Sequence, residues 1–453
     1  MARSILAAVR QIKADVAQFL SPALIHEVCD TIGHVWRERI LDPVTTVHLF
    51  VLQMLHGNAA CSQVPRLGQV ACSGEAYCQA RQRLPLRLLQ SLLRALCQHL
   101  DSSLSREDCW HGHRTFLVDG SGVSMPDMPA LQKAYGQPSE QKPGCGFPVM
   151  HVLALFHART GLLLNFFTAP LRTHDMSRAR HVHADLQVGD ILVGDRGFCS
   201  FAHFALLSAR GLWGLFRAHQ RQIIDFRPHR RAASKQSRKR KQRGLPRSRW
   251  LKRLGRHDQL VEYVKPPAHQ RPEWLTAEAF AALPATILVR ELRYTLRERG
   301  RRTRVVTLAT TLLDPERYPQ AALAELYGQR WQIETNFRHL KQTLRMDVLH
   351  CQSVEGVQKE LIIYALVYNL VRLTMLEAAR RQGVSVERIS FIDALRWLAE
   401  AAYAIGELCL RLVPDRPGRF KPRATKRRLR EYRRLSRPRP VLRTQLLRKT
   451  DAD

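Results

Sequence analysis

The chain has 453 residues and a large excess of positive charge, with 72 Lys and Arg against 39 Asp and Glu and a formal net charge of +33. Such an excess favours a polyanionic partner, either nucleic acid or an anionic membrane surface. A membrane protein is disfavoured, because the longest strongly apolar stretch, residues 361–375, is shorter than a bilayer span and contains Asn369 and Arg372.

The first residues do not have the pattern of a signal peptide, since Arg10 and Lys13 interrupt their apolar run. We therefore expect a cytoplasmic protein. The ten cysteines are scattered and form no Cys-x-x-Cys pair, so we expect them to be reduced packing residues. Cys109, His111 and His113 lie close in sequence, but their spacing fits no standard zinc site.

Residues 1–110 are predicted to be helical. A serine or aspartate followed by proline, at positions 21–22 and 42–43, is typical of a helix start. A further helix is predicted after Ser73, and it carries Arg81 and Arg83. This helix could read a DNA major groove, or it could belong to a bundle that only packs, and the residues alone leave both open.

The pattern changes to strands in residues 111–220. Five apolar runs have strand length, with a helix predicted between the third and the fourth: TFLVDG, VMHVLALFH, LLLNFFTA, DILVGD and LWGLFRA. Asp119 ends the first run and Asp195 ends the fourth. Each aspartate alone is also typical of an ordinary turn, because Asp and Gly are common turn residues.

Residues 221–315 do not continue this pattern. They begin with a basic run, residues 227–256, which holds 14 Lys or Arg and no acid. A run this charged predicts either a solvated loop or a contact with nucleic-acid phosphates, and its density favours phosphates. The candidate phosphate ligands are Arg238, Lys239, Arg240 and Lys241. A β-hairpin is predicted next, with its turn near Gly300.

Residues 316–383 contain the most informative helix, predicted over 324–346. Helical spacing places Tyr327, Arg330, Glu334 and Lys341 on one face. An apolar stripe lies beside them: Leu326, Ile333, Phe337, Leu340 and Leu344. The arrangement is typical of an active-site helix at the edge of a core, although a surface helix with Glu334 paired to an arginine four residues away has the same pattern.

Three carboxylates, two at strand ends and one on a later helix, could converge on a pair of divalent cations about 4 Å apart, the arrangement used for displacement at phosphorus. Hard oxygen ligands predict Mg²⁺, for which Mn²⁺ would substitute. The remaining residues are predicted to form a helix in 384–414, a possible subunit contact, and a basic, proline-rich tail in 415–453 that is flexible or ordered only on DNA.

These residues resemble the DDE transposases of bacterial insertion sequences. The motif Tyr-x2-Arg-x3-Glu-x6-Lys, together with Asp119 and Asp195 in their Asp-Gly-Ser and Gly-Asp-Arg-Gly-Phe contexts, is closest to the insertion-sequence-four-like branch. The likeness extends from about Thr115 to about Leu373. It implies an α/β fold: a ribonuclease H-like catalytic core interrupted by a β-rich insertion, with an N-terminal helical region and C-terminal helices.

The resemblance also implies an activity. Asp119, Asp195 and Glu334 would hold the metal ions, and the enzyme would nick the element ends, form and reopen a hairpin, and join the ends to target DNA. Its partners would be double-stranded DNA with terminal inverted repeats, target DNA and a second copy of the chain, with the protein on the nucleoid when DNA-bound. Tyr327, Arg330 and Lys341 would contact DNA, and the N-terminal region would bind the element ends.

Three other functions stay open. The chain could be a catalytically silent DNA-binding protein derived from a transposase, although its three intact acids argue against that. It could be a nuclease of the same fold that cannot join strands. A basic, RNA-associated structural protein is disfavoured, because aromatic residues make up only 7% of the chain and form no stacking motif.

Overall fold

The computed structural model describes residues 17–171, 173, 175–232, 245–296, 304–400, 408–413 and 432–450. The five N-terminal helices are α1 Pro22–Thr31, α2 Pro43–Leu55, α3 Val64–Gly68, α4 Gly74–Arg83 and α5 Leu86–Ser102. The predicted helix starts are confirmed, because the side chains of Ser21, Asp42 and Ser73 each accept a backbone N–H from the first turn.

The core of the molecule is a nine-stranded sheet with the order β3-β2-β1-β4-β5-β9-β8-β7-β6. Its first five strands are β1 Thr115–Ser124, β2 Val149–His157, β3 Leu163–Pro170, β4 Ile191–Gly194 and β5 Trp213–Arg217. The strand β1 is antiparallel to β2 and parallel to β4, which is parallel to β5. This is the predicted ribonuclease H-like arrangement, and apolar clusters cover both faces of it.

The insertion extends the same sheet. Its strands are β6 Arg249–Gly255, β7 Asp258–Val264, β8 Thr286–Leu296 and β9 Arg304–Thr310. The predicted hairpin is present as β8 and β9, and β9 pairs directly with β5. The basic run differs from a solvated loop at its C-terminal end, since β6 pairs with β7 and Arg249 contacts Glu262 at 3.0 Å.

Four shorter helices connect the strands and lead into the motif region: α6 Pro129–Tyr135, α7 Asp175–Val182, α8 Phe201–Ala209 and α9 Ala277–Ala281. The predicted helix over 324–346 is not continuous. It consists of α10 Gln320–Gly328, α11 Trp331–Arg338 and a π-helical turn over His339–Thr343. Between α10 and α11 the N–H of Arg330 bonds to the carbonyl of Tyr327, three residues back, so the helix tightens there.

The longest helix, α12 Val354–Gln382, runs through the core. It is long and apolar enough to cross a membrane, and 89% of its most apolar window is buried inside the protein. Its polar residues bind the turn between β2 and β3: Asn369 bonds both backbone groups of Leu163, at 2.8 and 2.9 Å, and Arg372 donates to the carbonyl of Thr160. The helix therefore holds the outer strands of the core in place.

The last helices are α13 Phe391–Glu400 and α14 Arg439–Thr450. The tail differs from the expected flexible segment over residues 432–450, because Arg439 binds Asp127 at 2.5 and 2.7 Å and the carbonyl of Gly144 at 2.7 Å. The hydroxyl of Tyr432 occupies the space that a side chain at Gly122 would need. This segment thus packs against the C-terminal end of β1.

Candidate active site

Two of the predicted carboxylates meet at one edge of the sheet. The strand β4 pairs with β1 only along residues 115–117, so β1 continues past it to Asp119. Asp195 follows β4 directly and caps a short 3₁₀ turn, where its carboxylate accepts the N–H of Gly197 at 2.7 Å. The parallel register, which pairs Leu117 with Val193, places Asp119 inside β1 at the level where Asp195 follows the end of β4.

The pKa of Asp119 reflects its surroundings at this edge. Burial raises the pKa of Asp119 to about 6, and the negative charges of Asp195 and Asp175 act in the same direction. The N–H of Gly120, which donates to this carboxylate at 2.9 Å, and the charge of Arg330 oppose the rise in pKa. A further cation close to Asp119 would stabilise its charged form and lower its pKa.

Glu334 lies on α11 and reaches this edge through Arg330. The guanidinium of Arg330 is 3.2 Å from the carboxylate of Glu334 and 3.6 Å from that of Asp119. Arg330 is 15% exposed and Glu334 is 48% exposed, so the arginine is the inner member of the pair. The Nε of Arg330 is buried and has no hydrogen-bond acceptor among the described residues. One bridging arginine therefore holds an acidic cluster together while one of its donors has no acceptor.

The prediction that Asp119, Asp195 and Glu334 hold metal ions stays a prediction. Within the described part of the chain, no group of three or more His, Cys, Asp or Glu side chains is close enough to hold a metal ion. Arg330 lies between Asp119 and Glu334. The donor set itself, carboxylate oxygens only, fits Mg²⁺ or Mn²⁺.

Two other motif residues take positions that the sequence left open. Tyr327 is buried, and the Arg330 guanidinium lies 6.0 Å from its ring centroid. Burial raises the pKa of the Tyr327 phenol. The Nζ of Lys341 lies 3.1 Å from the hydroxyl of Ser121, two residues beyond Asp119 on β1. Lys341 is thus brought to the site, whereas Tyr327 packs beneath Arg330.

The two arginines predicted to contact DNA in the N-terminal region, Arg81 and Arg83, have different surroundings. Arg81 donates to Gln53 at 2.6 Å and to the sulfur of Cys351 at 2.8 Å, and it stacks over Phe50. Because these contacts use its guanidinium inside the helical region, Arg81 is a packing residue, and the prediction that it contacts DNA does not fit the structure. Arg83 is exposed at the end of α4. Arg238, Lys239, Arg240 and Lys241 lie outside the described residues.

Sequence reasoning missed residues that surround the site. Trp331 is 50% exposed, and the guanidinium groups of Arg330 and Arg304 lie 5.6 and 6.0 Å from its ring. The Nε2 of His151 lies 2.9 Å from a carboxylate oxygen of Asp175, beside Gly120. An apolar ring next to the motif arginine was a usable signal for Trp331. The His151–Asp175 pair joins β2 to α7, and no local pattern marks it.

Comparisons with known proteins agree with this geometry. The family model described as "Transposase DDE domain" matches residues 110–370. The chain is 24% identical over 322 residues to the Escherichia coli protein "Transposase InsG for insertion sequence element IS4", a match that covers 70% of this chain and 65% of that protein. It is 29% identical over 171 residues to the E. coli "Putative transposase InsZ", covering 36% of this chain and 57% of that protein.

Both matches span less than two thirds of the length of these relatives. Among solved structures, a cryo-EM structure of the piggyBac transposase synaptic complex with hairpin DNA aligns with 88% of this chain and 79% of its own, at 10% identity and a TM-score of 0.47.

Proposed function

The chain belongs to the family of DDE-domain transposases of the insertion-sequence-four type, and from this premise we propose that it cuts and joins DNA strands at the edge formed by Asp119, Asp195 and Glu334. The observation that supports the proposal is the position of Arg330, which bridges Asp119 and Glu334 at 3.6 and 3.2 Å while its Nε has no acceptor among the described residues. A DNA phosphate would replace the carboxylates as the acceptor of the Arg330 guanidinium in a bidentate contact.

The three carboxylates would hold divalent cations, with Asp119 central and Asp195 and Glu334 on either side of it. Bound Mg²⁺ or Mn²⁺ would activate the attacking hydroxyl and stabilise the leaving oxygen. The chain's own residues would do the rest: Arg330 and Lys341 bind the phosphate backbone beside the cut, and the buried ring of Tyr327 supports the Arg330 guanidinium from below.

The reaction that we propose is cut-and-paste transposition. The enzyme would nick each element end, use the freed 3′-hydroxyl to form a hairpin, reopen that hairpin and join the ends to target DNA. A homodimer would hold two ends that carry terminal inverted repeats, and the protein would work in the cytoplasm on nucleoid DNA. Arg83 and the basic residues 238–241 would add phosphate contacts that do not depend on sequence.

The first experiment separates cleavage from binding. Asp119→Asn, Asp195→Asn and Glu334→Gln keep the shape of each side chain but remove the charge that holds a cation. Each variant should lose Mg²⁺-dependent cleavage of a labelled duplex containing an element end, with the affinity for that duplex nearly unchanged. Cleavage at the wild-type rate in one variant would remove that residue from the site.

The same assay separates the alternatives. A nuclease would yield cut ends and no joined product when target DNA is present. A catalytically silent DNA-binding protein would bind the duplex and leave it intact with either metal. Joined product that requires all three carboxylates supports the transposase.

A second experiment tests the role of Arg330 in the later steps. Hairpin formation and reopening need a sharply bent strand held in place, so Arg330→Ala should slow these steps more than the first nick. Arg338→Ala is the matched control, since Arg338 is exposed on the same helix. Nicked, hairpin and released products are followed over time. Equal slowing of all stages would mean that Arg330 only orients Glu334.

A further inference from the structure

A second positively charged site lies in the insertion, at a distance from the carboxylates. A cavity of about 380 Å³ is lined by the loop 224–228, the β6–β7 turn and the end of β8. The basic residues that line it are Arg227, Arg253, Arg256, His257 and Arg293. Its acidic member, Asp225, accepts hydrogen bonds from Arg227 at 2.7 to 3.1 Å, and the Arg227 contacts lower the pKa of that carboxyl.

The cavity is held in shape by contacts that leave cations on its rim. Arg293 donates to Thr307 at 3.0 Å and stacks over Phe226 at 4.9 Å, and His257 packs edge-on against the same ring at 5.7 Å. Arg253 and Arg256 are exposed on the β6–β7 turn. Because Asp225 is already neutralised by Arg227, the remaining positive charge faces outward. Such a site suits an anion with several oxygen acceptors.

The register of the sheet places this cavity on the same edge as the catalytic carboxylates. Asp195 follows β4, which is parallel to β5, and the end of β5 lies beside the middle of β9 through the pairing of Arg217 with Leu308. The end of β8 lies beside the start of both β9 and β7, where the N–H of Arg293 donates to the carbonyl of His257 at 2.8 Å. All these strand ends face one side.

Strand spacing gives the separation of the two sites. In the order β4-β5-β9-β8-β7, the end of β8 is three strand spacings from β4 and the start of β7 is four. At about 4.8 Å per spacing the two sites lie roughly 14 to 19 Å apart. One DNA strand rises about 3.4 Å per nucleotide, so this distance corresponds to about four to six nucleotides.

We propose that this cavity is a second phosphate-binding site, at which Arg253, Arg256 and Arg293 hold a backbone phosphate of the DNA strand that is being cut. The inference rests on the proposed function, because it takes the strand at Asp119 and Asp195 to be DNA. The bound phosphate lies about four to six nucleotides from the cleaved bond. The contact carries no sequence information and fixes the direction in which the strand leaves the active site.

The test is the salt dependence of binding to a short DNA duplex of fixed length. Each lost phosphate contact lowers the slope of log affinity against log salt concentration by about 0.9. Arg253→Gln with Arg256→Gln should therefore reduce the slope by up to about 0.9, because the site binds one phosphate. The single change Arg256→Gln, at an exposed turn, should reduce it by a smaller amount in the same direction and serves if the double variant does not fold.

The matched control is Arg106→Gln with Arg210→Gln, which removes the same charge at exposed positions near the opposite ends of β1 and β5. A wild-type slope in the pocket variants, or an equal fall in the control, overturns the inference. If the wild type binds and cleaves DNA in either case, the proposed function stands. If the wild type neither binds nor cleaves, both proposals fail together.

Discussion

Arg290 and Arg330 each contact an aspartate, and the two contacts differ in how many of the arginine's donors have an acceptor. In the insertion, Arg290 forms a fork on Asp258 at 2.9 and 2.5 Å and also donates to the carbonyl of Tyr318 at 2.7 Å. At the candidate active site, Arg330 lies 3.6 Å from Asp119 and 3.2 Å from Glu334. Arg290 is 1% exposed, and Arg330 is 15% exposed.

The difference separates a structural contact from an exchangeable one. Arg290 is buried, and its guanidinium hydrogen bonds connect β8 to β7 and to the segment that leads into α10. The guanidinium of Arg330 contacts two carboxylates at longer distances, and its buried Nε has no acceptor among the described residues. A new anionic partner, such as a DNA phosphate, would therefore stabilise Arg330 more than it would stabilise Arg290.

The largest expected effect tests the closed contact. Arg290→Ala leaves Asp258 buried and without its partner, which should cost about 3 to 5 kcal/mol of unfolding free energy. Arg330→Ala breaks longer contacts at a partly wet edge and should cost about 1 kcal/mol. Urea unfolding of both variants measures the two costs.

Arg330→Ala should in contrast reduce affinity for a duplex containing an element end, because it removes a phosphate contact. The comparison fails if the two variants lose equal stability, or if Arg290→Ala alone weakens binding after its fold has been verified by its circular dichroism spectrum.

The next effect concerns the charge of Asp119. Its pKa is raised from 3.8 to about 6, first by burial, so the folded protein favours the neutral carboxyl. Stability from this group is fully present below about pH 4 and is lost as the pH rises through about 6. At about 1.4 kcal/mol for each pH unit between the two pKa values, the wild type should lose about 2 to 3 kcal/mol relative to Asp119→Asn.

Unfolding free energies at pH 4 and pH 7.5, without divalent metal, give this difference directly. Other buried acids contribute to both proteins and cancel in the comparison. A constant difference between wild type and Asp119→Asn across this range would show that Arg330 and the Gly120 N–H fully compensate the burial of the carboxylate.

Much of the fold could be predicted because its signals are local. Ser21, Asp42 and Ser73 cap helices through bonds that span only three residues, and the sequence order of Asp and helix former is enough to mark them. The strands of the core are apolar runs that need burial on both faces, as in β4, whose four residues are all buried. Asp195 follows the end of β4 as predicted, whereas Asp119 lies inside β1, which continues to Ser124 because it pairs with β2 up to that residue.

The rest depends on contacts between distant segments. Helical periodicity treats Arg330 as part of a continuous helix, and it carries no information that β1 will bring Asp119 within 3.6 Å. Arg81 looks like a surface cation because its partners Gln53 and Cys351 lie 28 and 270 residues away. The docking of Arg439 on Asp127 spans 312 residues and runs against a composition that predicts a flexible tail.

A third effect tests how tightly β1 is packed around Gly120. A side chain at Gly120 would overlap the side chains of His151 and Asp175. Gly120→Ala should cost about 1 to 2 kcal/mol through overpacking and should displace that pair. Gly328→Ala is the matched control, since nothing lies within 4 Å of the added carbon and alanine favours a helix.

Thermal unfolding of the two variants gives the comparison. Gly120→Ala should melt below the wild type, and Gly328→Ala should melt at or above it. If Gly120→Ala has the stability and the cleavage rate of the wild type, the His151–Asp175 pair moves freely and does not constrain Asp119.

The smallest expected effect concerns the C-terminal segment, whose anchor resembles the Arg290 contact but lies nearer the surface. The Nε of Arg439 donates to both carboxylate oxygens of Asp127, at 2.5 and 2.7 Å, and Arg439 is 16% exposed. Arg439→Ala should cost about 1 kcal/mol of local stability, so that cleavage by chymotrypsin at Tyr432 becomes about five-fold faster. Arg437→Ala, at an exposed position two residues earlier, should leave the cleavage rate unchanged. Equal rates in both variants would mean that Tyr432, packed over Gly122, holds the segment on β1 without the ion pair.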